Sequence, residues 1–416
     1  MEQRVVITGM GVISPVGNNI NDFWTSLAEG RCGIDHIKGF EEYDLPISVA
    51  GQVKDFAPEE NGLERNDIRR NDLYCQFALA AAYQAMQQSG LKSGENVAAD
   101  RLGVYIGSGI GGMNTFVNET TKLLNEGVNR ISPLFVPMMI GNIAAGNVAI
   151  KYNAQGVCLP VVTACATGTH AAGEAYRAIK HGYADAIIAG GAEASIHPLA
   201  IGGFANSKAL TRSTDPKNAS IPFSANRNGF VMGEGAGVLV FESLENAQKR
   251  GAKIYAEVVG YGNSCDAHHV TAPSPDGVPA SRAIKQSLAE AGFDAEKDLL
   301  YINAHGTSTP LNDKSETAAI KLAMGEEAAH KAMISSTKSM TGHMLGATGA
   351  VELIACVLTL ENGVVPPTIG LNEPDPECDL DYVPNVARRA DVTIAISNSL
   401  GFGGHNSCVA LRKWNG

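Results

Sequence analysis

Aromatic residues make up only 6% of this 416-residue chain, charged residues only 18%, and Trp occurs twice. With so little charge and 44% hydrophobic side chains, the chain is neither a disordered nor a fibrous protein; it is long enough for two or three domain-sized units around a large core. Cations are scarce: Lys and Arg number 32 against 43 Asp and Glu, a formal net charge of -11. That balance excludes a general attraction for nucleic acid or an anionic membrane, and any acidic partner must find a local basic patch. Clean apolar runs are missing too. The stretches Phe135 to Ile150 and Gly349 to Leu360 are broken by Asn142 and Asn147 in one and Glu352 in the other, so no membrane span is expected.

Cysteine number is 8, but no C-x-x-C pair occurs, which fits a reduced compartment better than a disulfide scaffold or a zinc site. The start MEQRVVITGMG enters a strand-like run without a basic segment followed by an apolar one, so a cytoplasmic location is expected. Motifs for a P-loop (G-K-[ST]) and for a zinc protease (H-E-x-x-H) are absent, and His268-His269 is the only adjacent histidine pair. No metal site is expected.

Glycine is abundant, with 46 residues, about 11% against a usual ~7%. Short Val- and Ile-rich runs alternate with longer helix-like stretches, the pattern of an α/β protein whose strands are buried on both faces. Strands are predicted at 4–8, 102–107, 157–164, 186–190, 238–241, 255–260, 299–303, 333–336, 392–397 and 407–411. Helices are predicted at 72–88, 167–181, 281–291, 314–324 and 345–362. No Pro-rich linker divides the chain. Two stretches share an order of strand, Thr-rich turn and Gly/Ala-rich helix, PVVTACATGTHAAGEA and MISSTKSMTGHMLGATGAVE, with Thr167-Gly168 and Thr341-Gly342 taken as matching pairs. The expectation is a duplicated unit with halves 1–255 and 256–416, its poorly charged helices buried inside a thick multi-layer sandwich.

Cys165 follows the apolar run VCLPVVTA at a strand-to-helix turn, where helix N-H groups favour a thiolate and can hold an oxyanion. The competing reading is an inert buried thiol. His305, in NAHGTST, and His343, in KSMTGH, each follow a strand, so with Cys165 they form a candidate thiol site; taken singly, either is a structural hydrogen-bonder. Gly107 to Gly112 matches G-x-G-x-x-G, but a helix-like stretch follows it and no acidic residue ends a next strand, so a close-packed turn is the preferred reading over a dinucleotide site. Around Phe402, Gly401, Gly403 and Gly404 permit close backbone approach, or simply a tight turn. Arg65 and Arg69 share a helical face, with Arg70 beside them; they are a landing site for an acidic partner or a solvated helix end, and Arg130, Lys208 and Arg212 extend the patch only if folding gathers them.

TACATG, NAHGTST, KSMTGH and SNSLGFGGHN, in this order, make the chain resemble the β-ketoacyl-acyl-carrier-protein synthases of thiolase-like fold, in particular the elongating condensing enzymes of bacterial fatty acid synthesis. The resemblance spans Arg4 to Leu411 and implies a five-layer αβαβα sandwich. It implies that Cys165 accepts the acyl group and that His305 and His343 promote malonyl decarboxylation, with Lys338 upstream of the second His and Glu316 as its acidic partner. By the same resemblance Phe402 gates the site and completes the oxyanion hole, Ile110 lines the acyl pocket, Thr271 lies on a second mobile loop, and Thr307, Thr309, Gly401 and Gly403 contact substrate. An acyl carrier protein would dock on Arg65, Arg69, Arg70, Arg130 and Lys208 of a homodimer. Phosphopantetheine would arrive on that carrier, with no cofactor resident in the enzyme. Leu400, Ser224 and His405 depart from the family's usual residues and bear on chain-length preference.

Overall fold

A computed structural model describes residues 2–416. Ten strands carry the architecture: β1 (Val5–Ile13), β2 (Leu102–Gly107), β3 (Cys158–Leu159), β4 (Ala186–Glu193), β5 (Gly235–Ser243), β6 (Ala256–Cys265), β7 (Leu300–Asn303), β8 (Met333–Ser335), β9 (Ile394–Gly401) and β10 (His405–Lys413). They are ordered β8-β7-β9-β10-β6-β1-β5-β4-β2-β3. The order is one pattern used twice. Within 5–243 it reads β3-β2-β4-β5-β1 and within 256–413 it reads β8-β7-β9-β10-β6, each label advanced by five. Directions repeat as well: β2 is parallel to β3 and β4, as β7 is to β8 and β9, while β5 runs antiparallel to both neighbours, as β10 does. The halves join edge to edge only where Val5, Val6 and Ile7 meet Val258, Glu257 and Ala256.

Five helices complete the layers: α1 (Leu73–Ser89), α2 (Thr167–Lys180), α3 (Val278–Glu290), α4 (Pro310–Met324) and α5 (Thr348–Asn362). Strand side chains alternate between two cores, as a period of two requires. Tyr105, Ile187 and Leu239 enter a central core with α2 and α5, whereas Val104, Ile188 and Val238 pack outward against α1. In the second half Tyr301, Ala395 and Val409 share the central core, while Ile302, Ile396 and Ala410 face α3 and α4. Helix, sheet, paired helices, sheet, helix is the five-layer thiolase-like sandwich. The segment Leu345–Asn362 is long and apolar enough to cross a membrane by length and composition, and 89% of it lies buried as this middle layer.

Two expectations are corrected. The strand predicted over 157–164 is only Cys158–Leu159, because Pro160 has no N-H to continue the ladder. The true counterpart of Thr167-Gly168 is Thr348-Gly349 rather than Thr341-Gly342. Each pair opens its helix directly after a 3-10 turn, Ala164–Ala166 or Leu345–Ala347, and each turn begins on a non-glycine residue in the left-handed region, Ala164 at φ 51° and Leu345 at φ 47°. Matching strain at matching places identifies two strand-to-helix elbows.

Candidate active site

Cys165 sits in the first elbow. Its thiol is pushed up to about 11 by burial, against the pull of the Lys338 cation and of the Phe402 and Cys165 backbone N-H groups, which face the sulfur. One amide of the elbow and one of the Phe402 loop, rather than a row of helix N-H groups, favour the thiolate, but desolvation outweighs them. Phe402 comes within reach because Gly401 passes against the elbow: a Cβ there would lie 2.7 Å from Thr163 O and 3.2 Å from Ala166 N.

His305 and His343 come from the other half, His305 just beyond β7 and His343 after the short helix Lys338–Thr341 that follows β8, and their rings meet edge to face with centroids 5.3 Å apart. Backbone bonds fix both loops. His343 donates its N-H to Val231 O at 2.7 Å and its carbonyl accepts from Gly233 N at 2.8 Å. The N-H groups of His305 and Gly306 both donate to Glu316, each at 2.7 Å. Burial first, then the Lys338 cation, holds both imidazoles well below the usual histidine range, so both are neutral at physiological pH. Thr348 Oγ1 contacts His343 Nδ1 at 3.1 Å, and His343 Nε2 is buried without a protein partner.

The acidic partner of Lys338 is not Glu316. Lys338 Nζ donates to Glu352 Oε1 at 2.6 Å, while Glu316 is consumed by the two loop amides and by Asn398 Nδ2 at 2.7 Å. Three donors already occupy that carboxylate, and Lys338 points instead toward α5. The signal for Glu352 is in the chain: it is the one buried charge of an apolar helix whose only other charge, Glu361, lies exposed in the last turn.

A cavity of about 440 Å³ joins these parts. Cys165, His305, His343, Phe402, Ile110, Thr271, Thr307, Thr309, Gly401 and Lys208 line it, together with Phe204 and Phe230, which the sequence reading did not single out. Gly403 does not; its N-H donates to Val270 O at 2.7 Å and ties the Phe402 loop to the loop bearing Thr271. Lys338 and Glu316 stand behind the lining. Arg65, Arg69 and Arg70 are exposed on the short helix Arg65–Arg70, away from the lining, and Arg130 pairs with Glu126 at 3.2 Å. In the turn after β2, Glu193 takes the N-H groups of Gly109 and Ile110, so these two amides are not free to cradle a phosphate.

One half thus supplies a thiol and the other two uncharged imidazoles across a shared chamber, an arrangement that defines the thiolase-like class of acyl-transferring enzymes. Comparison with known proteins narrows the class. The description "Beta-ketoacyl synthase, N-terminal domain" matches residues 2–247 and "Beta-ketoacyl synthase, C-terminal domain" matches 255–372. The chain belongs to the beta-ketoacyl synthase family. It is 50% identical over 414 residues to the 3-oxoacyl-[acyl-carrier-protein] synthase 2 of Synechocystis sp., covering 99% of both chains. It is 50% identical over 412 residues, again 99% of both, to the protein of that name from Staphylococcus aureus. Among solved structures, it resembles a ketosynthase in complex with its type II PKS acyl-carrier protein, bound to the hexaketide (TM-score 0.91, 36% identity, 100% of both chains), and the ishigamide ketosynthase/chain length factor (TM-score 0.91, 36% identity, 100% of both chains).

Proposed function

We propose that the protein is a 3-oxoacyl-acyl-carrier-protein synthase that elongates fatty acids by decarboxylative Claisen condensation. The observation that carries this reading is the convergence of Cys165, with two backbone N-H groups at its sulfur, and the neutral His305 and His343 on one chamber. The Cys165 thiolate attacks the thioester carbonyl of an acyl carrier protein, and the N-H groups of Cys165 and Phe402 hold the tetrahedral oxyanion. The carbon-sulfur bond to phosphopantetheine breaks, the carrier thiol leaves with the proton that Cys165 gave up, and acyl-Cys165 remains. Malonyl-acyl-carrier protein enters and its carbon-carbon bond to the carboxylate breaks, releasing carbon dioxide. Hydrogen bonds from His305 and His343 hold the enolate oxygen, a task suited to uncharged imidazoles. The enolate carbon attacks acyl-Cys165, expels the thiolate, and leaves 3-oxoacyl-acyl-carrier protein two carbons longer. Water would quench the enolate, so the chamber closed by Phe402 is part of the mechanism.

Lys338 and Glu352, together with Glu316 through the His305 loop, position this set; Thr271, Thr307, Thr309 and Gly401 guide the phosphopantetheine arm, the only prosthetic group required, and Gly403 holds the two loops beside it together. The acidic carrier docks on Lys208 at the cavity and on Arg65, Arg69, Arg70 and Arg130. The enzyme works in the cytoplasm as a homodimer. Supporting a dimer, the edge strand β3 exposes Leu159, with Val157 and Val162 beside it, an apolar unpaired edge of the kind that soluble proteins cover.

The test is to incubate the protein with acyl-carrier protein, map the acylated peptide by mass spectrometry, then add malonyl-carrier protein. Acyl on Cys165 chased into 3-oxoacyl product with release of carbon dioxide is expected. Acylation without condensation would make the protein an acyltransferase, and no acylation would make it a non-catalytic partner.

A further inference from the structure

The two elbows are unequally equipped. Gly346 is the middle residue of the second 3-10 turn, where Cys165 stands in the first. A Cβ at 346 would collide with the Gly109 nitrogen and lie 3.0 Å from Glu193 Oε2, so this elbow accepts no side chain of its own. Glu193, fully buried at the end of β4, fills it. Its Oε2 accepts from Gly109 N at 2.8 Å and Gly346 N at 3.0 Å. Its Oε1 accepts from Ser195 Oγ at 2.9 Å, Ser108 Oγ at 3.0 Å and Ile110 N at 3.2 Å. Two backbone amides converging on one anionic oxygen make an oxyanion cradle, here loaded permanently by the protein's own carboxylate.

The loop so clamped forms a wall of the chamber: Gly109 and Ile110 line it together with Cys165 and with Leu345 of the second elbow. We propose that Glu193 is a positioning residue for acyl selection: by occupying the second elbow it locks Ser108–Ile110 to the start of α5 and fixes how far the Ile110 wall stands from Cys165. The proposal rests on the reading above that the acyl chain lies in this chamber.

Glu193→Gln isolates the effect. The amide oxygen can still accept from Gly109 and Gly346, and the hydroxyls of Ser108 and Ser195 can turn to accept from the amide nitrogen, but Ile110 N-H loses its acceptor. The probes are alkyl methanethiosulfonates from methyl to decyl. The Cys165 thiolate attacks the sulfenyl sulfur, a disulfide forms and the sulfinate leaves, so no natural substrate is required. Peptide mapping reads modification of Cys165 against time, and the ratio of decyl to methyl rates cancels any change in thiolate fraction. The ratio is expected to rise about threefold or more in Glu193→Gln, as the unclamped wall yields. Ile110→Ala should raise it likewise, and the double variant no further than the larger single effect. An unchanged or lowered ratio in a folded Glu193→Gln protein overturns the proposal, as does additivity with Ile110→Ala. Should Glu193→Gln not fold, Ser108→Ala, which removes one donor to Oε1 and the acceptor of Gly111 N-H, takes the same test. Condensation by the wild-type protein is assayed in parallel; its absence would sink the functional reading, while the rate ratio still decides the role of Glu193.

Discussion

Lys338 Nζ lies 2.6 Å from Glu352 Oε1 with both side chains only 1% exposed, so one ion pair is sealed behind the two catalytic-candidate imidazoles. Removing Lys338 leaves Glu352, whose carboxyl burial already pushes up to about 7, either charged without compensation or protonated without its donor, and removing Glu352 strands the cation. Lys338→Ala should cost about 3–5 kcal/mol of stability, whereas the paired Lys338→Met/Glu352→Leu exchange should recover most of it. Urea denaturation of the three proteins checks this. A paired exchange no more stable than Lys338→Ala would refute it. The paired variant should still condense poorly, because the cation that helps keep His305 and His343 neutral and favours the Cys165 thiolate is gone.

Gly401 is held to glycine by the elbow beside it. A Cβ 2.7 Å from Thr163 O must push the Phe402 amide away from the Cys165 sulfur. Gly401→Ala should slow acyl-Cys165 formation about 100-fold, the usual cost of one oxyanion donor, and lower stability by about 1–3 kcal/mol because the clash is with backbone. Rapid-quench measurement of the acyl-enzyme gives the rate; a normal rate would mean that the Phe402 amide is not a donor.

The thiol predicts a steep response to pH and the imidazoles none. With the Cys165 thiol near 11, alkylation of the ligand-free protein at this residue should climb about tenfold per pH unit from pH 7 to pH 10. With both imidazoles held far below the ordinary range, malonyl decarboxylation should be flat from pH 6 to pH 9. A titration near pH 6.5 in carbon dioxide release would contradict their being neutral.

Glu234 is buried with a single donor, Val53 N at 3.0 Å, and burial pushes its carboxyl from 4.5 up to about 7. A folded value above the unfolded one means that its contribution to stability is full below about pH 4.5 and is lost as pH rises through about 7. Relative to Glu234→Gln, the wild-type protein should therefore weaken over that window, by up to about 3 kcal/mol. Parallel denaturation curves at pH 5 and pH 7.5 measure the difference, and equal pH responses of the two proteins would rule it out.

Carrier docking predicts a split between kinetic constants. Lys208→Glu, at the cavity, and Arg65→Glu/Arg69→Glu, on the exposed helix, should each raise KM for acyl-carrier protein several-fold with kcat nearly constant, and the defect should shrink at high salt. A fall in kcat alone would place these side chains outside the docking surface.

Much of this was legible in the chain. Strands ending at Gly107 and Asn303 announce themselves by short Val- and Ile-rich runs, and Cys165, His305 and His343 by their places just beyond strand-like runs. The match between Thr167-Gly168 and Thr348-Gly349 was not, since a second Thr-Gly pair lies seven residues upstream and only the left-handed Ala164 and Leu345 separate the candidates. Long-range pairing was hidden for a similar reason. Nothing local to Lys338 says which carboxylate it reaches: Glu316 and Glu352 both lie on helices nearby in sequence, and the choice is made by the loop amides that claim Glu316. Glu193 shows only as a charge ending the apolar run AIIAGGAE, and its five donors are scattered from Ser108 to Gly346.

The pairing of α2 with α5 in the middle layer also sets a timetable for synthesis. About 180 residues separate the end of α2 at Lys180 from the end of α5 at Asn362. At ~5–20 residues per second the ribosome needs about 10–40 s to deliver the second helix after the first. Throughout that interval the face of α2 that will meet α5, where Gly168 comes against Ala350 and Thr169 against Gly349, has no native cover. The middle layer of the N-terminal half therefore stays half-built until its own twin emerges.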